Sequence, residues 1–356
     1  MFEKIKELMI GNSSKGDRQV YIDDLRVAAT IFVIGVHTVS LAASMTEYGN
    51  ISFRVLTIFN FIFLSCNLLF VMLSGALLLP VKNEPAGIFF RKRFTKVAIP
   101  LVVYYILYVV AKEGIDWLKP DHWLSMLRRI LTGTPVEAPH FWLVYVIIWL
   151  YVLTPFMRYI VHNIPDTVLS GVIGVVFVIC ALDTYLPLCG INSVFGIVVD
   201  SYAGTFLLGY FLSEKCSRQA ENFFMFAGVL SFIVTCMWIW NGNDYAGYIY
   251  QNSPTMMCFT AAIFVLVKRL ASTKTKSNFF VQWISRYSYS ILLIHWGVLH
   301  FVVKQKLHVN VLSGGIAGGC IVMMVLTLFI SAIGAMILDN TLLKWIQKPF
   351  AKKKRN

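Results

Sequence analysis

The chain has 356 residues, of which 58% are hydrophobic and only 14% charged. Soluble globules carry about a quarter charged residues, so the composition excludes an ordinary soluble enzyme and places the chain among polytopic membrane proteins. The net charge of +13 does not indicate a nucleic-acid partner, because the cations are distributed by topology and form no single patch.

The chain opens with a charged and polar arm, residues 1–20, which has no cleavable signal pattern. Apolar windows long enough to cross a bilayer predict ten spans: roughly 21–43, 55–79, 97–111, 141–157, 168–182, 202–212, 222–240, 253–267, 287–303 and 312–338. They compose one membrane domain, residues 21–338, followed by a basic tail, residues 339–356. The fold class is therefore all-α, a bundle of about ten transmembrane helices around a polar cavity.

The first span carries Arg26 and His37 on one face. Eleven residues are close to three helical turns, or about 16 Å along the axis. An arginine at the centre of a membrane helix costs roughly 2.5–3.5 kcal/mol on insertion scales, so its presence calls for a function. The imidazole of His37 titrates near neutrality and can serve as a general base toward a hydroxyl; it can equally hydrogen-bond a neighbouring helix. Asp23 lies one turn before Arg26 and can pair with it.

Between the second and third spans comes Phe89-Phe90-Arg91-Lys92-Arg93-Phe94-Thr95-Lys96, running into Pro100. Such a run is an ordinary positive-inside signal. It can also clamp phosphates: coenzyme A carries a pyrophosphate and a 3′-phosphate, and Arg91, Arg93 and Lys96 stand at the start of a membrane helix where they can hold them. The segment 112–139, with Trp117, His122 and Trp123, predicts a helix lying on the membrane surface, ended by Gly133, Pro135 and Pro139.

His140 and Trp142 open the fourth span, either as an interfacial aromatic belt or as part of a site. The loops 183–201 and 241–252 hold Asp183, Asp200, Asn241, Asn243 and Asp244 but no lysine or arginine. The ninth span contains Arg286-Tyr287-Ser288-Tyr289-Ser290 and then His295, expected to be buried, with His300 beyond it. Lys344 to Arg355 form a basic end suited to the cytoplasmic leaflet.

With the N-terminus inside, the inner segments hold 23 lysines and arginines and the outer ones seven. That asymmetry puts both termini in the cytoplasm and requires an even number of spans, which ten satisfies. The seven cysteines, Cys66, Cys180, Cys189, Cys216, Cys236, Cys258 and Cys320, are odd in number and lack metal-type spacing, so they are read as packing residues. No Walker loop, Gly-x-Ser-x-Gly elbow or histidine–glutamate metal motif occurs, and no metal is expected.

Taken together, these segments resemble acyltransferase family 3, the integral-membrane acyltransferases of cell-surface glycans. Tyr21-Ile22-Asp23-Asp24-Leu25-Arg26 followed by His37 is similar to the family's opening signature. Phe70 to Ser74-Gly75 resembles its Phe-x-x-Ser-Gly element with one extra residue. Arg93 and Lys96 ahead of Pro100 resemble its Arg-x-x-Arg motif, with lysine in place of the second arginine, which keeps the charge but loses the bidentate fork. His140-Phe141-Trp142 resembles the His-x-Trp element, and Tyr289-Ser290 to His295 the late Tyr-Ser…His segment. The chain is most similar to short members without an appended domain, of the enterobacterial common antigen O-acetyltransferase type.

The resemblance implies an O-acetyltransferase that takes acetyl-CoA, or another acyl-CoA, as donor and a sugar hydroxyl of a surface glycan or lipid-linked precursor as acceptor. It implies residence among the lipids of a bacterial cytoplasmic membrane. His37 and Arg26 are then the catalytic candidates, with His37 either a general base on the acceptor hydroxyl or a relay that first carries the acyl group; Arg93, Lys96 and Arg91 are the coenzyme A ligands, and Asp23, His140, Trp142 and His295 substrate-contacting or structural residues. Two other classes fit an intramembrane His and Arg: a transporter of a polar metabolite, which would show repeated halves with interrupted helices, and a non-catalytic membrane sensing domain.

Overall fold

A lipid-immersed backbone must satisfy its own hydrogen bonds, so uninterrupted apolar runs become helices. The computed structural model describes residues 9–10, 20–82, 84–133, 135–191, 201–242, 253–312 and 314–350. Most of the N-terminal arm, the loop residues 192–200 and 243–252, and the end of the basic tail lie outside the described residues, as do Asp200, Asn243 and Asp244. Among the described residues the fold is all-α, with eleven helices and no strand. They are α1 (Val20–Ala43), α2 (Ile51–Leu78), α3 (Ala86–Glu113), α4 (Pro120–Leu131), α5 (Trp142–Asn163), α6 (Asp166–Tyr185), α7 (Ser201–Tyr210), α8 (Arg218–Trp240), α9 (Pro254–Ala271), α10 (Phe279–Gly297) and α11 (Ile316–Phe350).

Each of the ten predicted spans coincides with a helix, but eight of those helices are long and apolar enough to cross a membrane. The two others differ for different reasons. Helix α7 has 10 residues, continued by a π turn over Phe211–Lys215. Helix α10 has Gln282, Ser285, Arg286, Ser288, Ser290 and His295 among its 19 residues, which lowers its mean hydropathy. Helix α3 begins at Ala86, not near residue 97: the cations from Arg91 to Lys96 hide its first turns from hydropathy. Helix α11 does not stop at residue 338 but runs through a π turn over Asp339–Leu343 to Phe350. Helix α4 fills the predicted surface segment, and Gly133 ends it at φ +71, a conformation glycine adopts without a steric penalty.

Helix α1 is central and packs on α2, α9, α10 and α11. Small residues permit close approach where no hydrophobic effect drives helix association. On α1, Ala29 and Ala42 are fully buried and Gly35 lies under the Phe63 ring. Helices α2 and α7 meet backbone to backbone: a methyl on Gly75 would lie 1.9 Å from the Phe206 carbonyl oxygen, and one on Gly209 2.0 Å from that of Met72. Helices α5, α6 and α8 turn large apolar side chains outward, among them Phe156, Val175, Val178 and Phe226.

Acidic residues at the basic end of the bundle bind cations across helices. Glu221 meets Lys268 and Arg269 of α9 at 3.4 and 2.9 Å, and Lys274 reaches Asp24 at 2.9 Å. Glu84, in the connection from α2 to α3, lies 2.6 Å from Lys92 and 3.2 Å from Arg158 of α5. The hydrogen bond from Lys92, reinforced by Arg158, holds the Glu84 carboxyl below the usual carboxylate range despite its partial burial.

Candidate active site

A cavity of about 580 Å³ opens at this basic end, enclosed by the ends of α1, α2, α3, α5, α10 and α11. Four cations line it, Arg26, Arg93, Lys96 and Arg286, against one carboxylate, Asp339. The lining is therefore net positive, as a polyanionic ligand requires. Asp339 does not neutralise it by direct pairing. Its two oxygens each lie 2.8 Å from the Ser290 hydroxyl, and Tyr104 approaches at 3.5 Å.

Local geometry explains which of the basic-loop residues face inward. A π turn over Phe94–Ala98 interrupts α3 between Arg93 and Pro100, and such turns change the helical register. Arg93 and Lys96 both reach the cavity wall. The Arg93 guanidinium lies 5.3 Å from the Phe89 ring centre and 5.4 Å from that of Tyr151, which hold it in place through cation–π contact. Arg91 points elsewhere: its Nε and Nη2 donate to the Phe350 carbonyl at 3.2 and 2.9 Å, tying α3 to the end of α11.

Asp23 is buried and accepts a hydrogen bond of 2.5 Å from Ser285 of α10, with Arg26 at 3.7 Å. It anchors the first turn of α1 against α10 and holds Arg26 at the cavity. Ser74, from the Phe70 to Gly75 element, also lines the cavity, while Gly75 on the adjacent position allows the α7 backbone to close against α2.

Three turns further along α1, His37 enters a cluster of aromatic and imidazole rings. Its ring centre lies 5.1 Å from that of His295 on α10 and 6.4 Å from that of His140, and the latter two are 5.2 Å apart. Trp296 stacks on His140 at 5.9 Å and meets His300 at 4.4 Å. The Tyr108 hydroxyl donates toward the carbonyls of Leu293 and Ile294 and accepts from the Gly297 amide at 2.8 Å. Among the described residues, no group of three or more His, Cys, Asp or Glu has a metal-holding arrangement.

The structure thus brings His37, His140 and His295 together and gathers Arg26, Arg93 and Lys96 separately, with Arg26 and His37 joined by one helix. Trp142 joins neither group: it is exposed beside Tyr202, at 6.3 Å, because two helical steps turn it away from His140. Sequence reasoning did not pick out Asp339 or Tyr108 as site residues, and it met Arg286 only as the start of the His295 segment. An isolated acid at the end of the last apolar run was the available signal for Asp339. Tyr108 gave none, lying within an apolar stretch.

A family model described as an acyltransferase domain matches residues 19–338, which includes both groups except Asp339. No curated protein and no solved structure matches the chain.

Proposed function

The chain belongs to the acyltransferase 3 family, and from that premise we propose that it moves an acyl group, most simply acetyl, from acyl-CoA to a sugar hydroxyl of a surface glycan or its lipid-linked precursor. The observation that carries this reading is the pairing of a four-cation cavity with a histidine cluster at opposite ends of the Arg26–His37 face. About 16 Å separates the two along the helix, so an extended pantetheine arm can lie between phosphates held at Arg26, Arg93, Lys96 and Arg286 and a thioester delivered toward His37.

At that point the acceptor oxygen attacks the thioester carbonyl carbon while His37 takes the hydroxyl proton. The carbon–sulfur bond breaks, and the departing thiolate recovers the proton as free coenzyme A. The new ester stays on the sugar. The cavity lies at the basic end of the bundle, which faces the cytoplasm under the positive-inside rule, where acyl-CoA is found. The acceptor approaches from the end that carries His140.

Mass spectrometry of envelope glycans from cells with and without the protein tests this reading. An acetyl increment on a sugar, lost with the protein and restored by purified protein plus acetyl-CoA, is the expected result. An increment of a longer acyl chain would correct the donor. Identical glycan masses in both cells, with no transfer by the purified protein, would defeat the proposal.

A further inference from the structure

We propose that His295 is a positioning residue that fixes the tautomer and orientation of His37. The inference rests on His37 being the base, and it begins with a hydrogen-bond count. His295 Nδ1 lies 2.8 Å from the Leu292 carbonyl oxygen and 3.2 Å from that of Ile291. A carbonyl oxygen only accepts, so Nδ1 carries the proton, and a neutral imidazole carries no second one. Nε2 is therefore a bare lone pair. It is buried, and among the described residues it has no hydrogen-bond partner. A buried acceptor left unmet is costly, so the site is built to receive a donor there.

His37 is the adjacent ring that can supply it by a rotation about its side-chain bonds; the bond itself is not made in this structure. The two ring centres are 5.1 Å apart with planes inclined at 41°. That is close to the spacing of two imidazoles joined by one N–H···N bond, about 3 Å between nitrogens plus a ring radius on either side. When His37 donates one N–H to His295 Nε2, its other nitrogen becomes the lone pair that faces the acceptor hydroxyl. His295 then stands where a carboxylate stands in a Ser-His-Asp triad, with a neutral acceptor in place of a charge.

The surroundings fix this choice. His140 is assigned the opposite tautomer, because its Nε2 lies 3.0 Å from the Leu293 carbonyl and must carry the proton. Its ring is 5.2 Å from that of His295, within the same spacing, but its one proton is on the nitrogen that faces Leu293, which leaves it no N–H for His295. The Leu293 carbonyl also accepts from the Tyr108 hydroxyl at 3.1 Å, and that hydroxyl accepts from the Gly297 amide at 2.8 Å. The π turn over Val298–Lys304 follows directly. One stretch of α10 therefore sets both tautomers.

Ring-¹⁵N histidine spectra of the full-length protein in lipid nanodiscs read which nitrogen carries each proton. In the wild type, His295 is expected as the Nδ1–H form and His37 as a single tautomer. His295 as the Nε2–H form would overturn the proposal without any variant. In His295→Asn the amide reaches the Nδ1 position only, so His37 should become a mixture of tautomers. Turnover at saturating donor and acceptor should then fall about 10²-fold with KM unchanged. His295→Gln places an amide oxygen near the Nε2 position and should restore one His37 tautomer and most of the turnover. Asn and Gln variants that behave alike, or an Asn variant that leaves the His37 tautomer single, would overturn it. Should the spectra obey these expectations while the wild type transfers no acyl group, the transferase reading fails and the His37–His295 pair stands.

Discussion

At residue 37 the chemistry depends on one nitrogen lone pair, and truncation removes it without touching the main packing clusters, since His37 is only partly buried. His37→Ala is expected to lower acyl transfer by about 10²–10⁴ while folded protein is retained with a modestly lower thermal unfolding midpoint, because the buried His295 Nε2 loses its donor. Parallel turnover and melting measurements on purified protein check this, and full activity would remove His37 from the mechanism. The cations make a second prediction. Losing charge-assisted hydrogen bonds of about 1.5–3 kcal/mol, Arg93→Ala with Lys96→Ala should weaken binding of labelled coenzyme A by about tenfold or more. Lys96→Arg should be tolerated. Arg91→Ala should leave the affinity unchanged, because that guanidinium is engaged with Phe350. Equal losses for Arg91 and for the Arg93–Lys96 pair would make the run a plain topology signal. In the sequence the motif resemblance singled out Arg93 and Lys96, and Arg91 stood beside them as a third candidate; the bond from Arg91 to Phe350 sets it apart.

Among elements, the contact of α2 with α7 tolerates the least change. A methyl at Gly75 or Gly209 would meet a backbone carbonyl, and backbone cannot move aside as a side-chain tip can. Gly75→Ala and Gly209→Ala should each destabilise by about 1–3 kcal/mol or more, seen as lost folded protein or a lower unfolding midpoint. Gly174→Ala in α6, where no atom lies within 4 Å of the added methyl, should be neutral or slightly stabilising. If all three behave alike, close approach is not what Gly75 provides. The α2–α3 connection carries a pH dependence. The folded Glu84 carboxyl is held below its unfolded value by Lys92 and Arg158. Its stabilisation is therefore full above the unfolded carboxylate pKa of about 4.3 and is lost as pH falls through the lower folded value. Unfolding midpoints of wild type and Glu84→Gln should differ most near neutrality and converge in acid; a gap independent of pH would show that charge is not its source.

Across the whole molecule, Arg91 to Lys96 of α3, Lys215 after α7, Arg218 of α8 and Lys268 and Arg269 of α9 are carried to one end, while Lys112 stands at the other end of α3. Eight or ten spans both put the two termini on the same side. With native cysteines replaced, a cysteine at the exposed Asn241 should react with an impermeant maleimide in intact cells, and one at the exposed Ser272 only after permeabilisation. The opposite pattern would turn the cavity away from cytoplasmic acyl-CoA and defeat the donor assignment.

Apolar run length is a local property, so the sequence alone determined the all-α class, the places of the helices and the Arg26–His37 face. Charge asymmetry is a sum over segments, and it predicted the sidedness without any contact being known. The rest required distances between residues far apart in the chain. Asp339 reads as the start of a tail until the continuing α11 helix carries it into the cavity beside Ser290. His140 and His295 are separate candidates until α10 packs on α1 and the turn Pro139–Phe141 packs on α10, which brings both rings to His37. His140 meets the Leu293 carbonyl of α10, 153 residues along the chain, at 3.0 Å only because the helices are packed. Periodicity tells which face a residue occupies; which other face it meets is decided by packing.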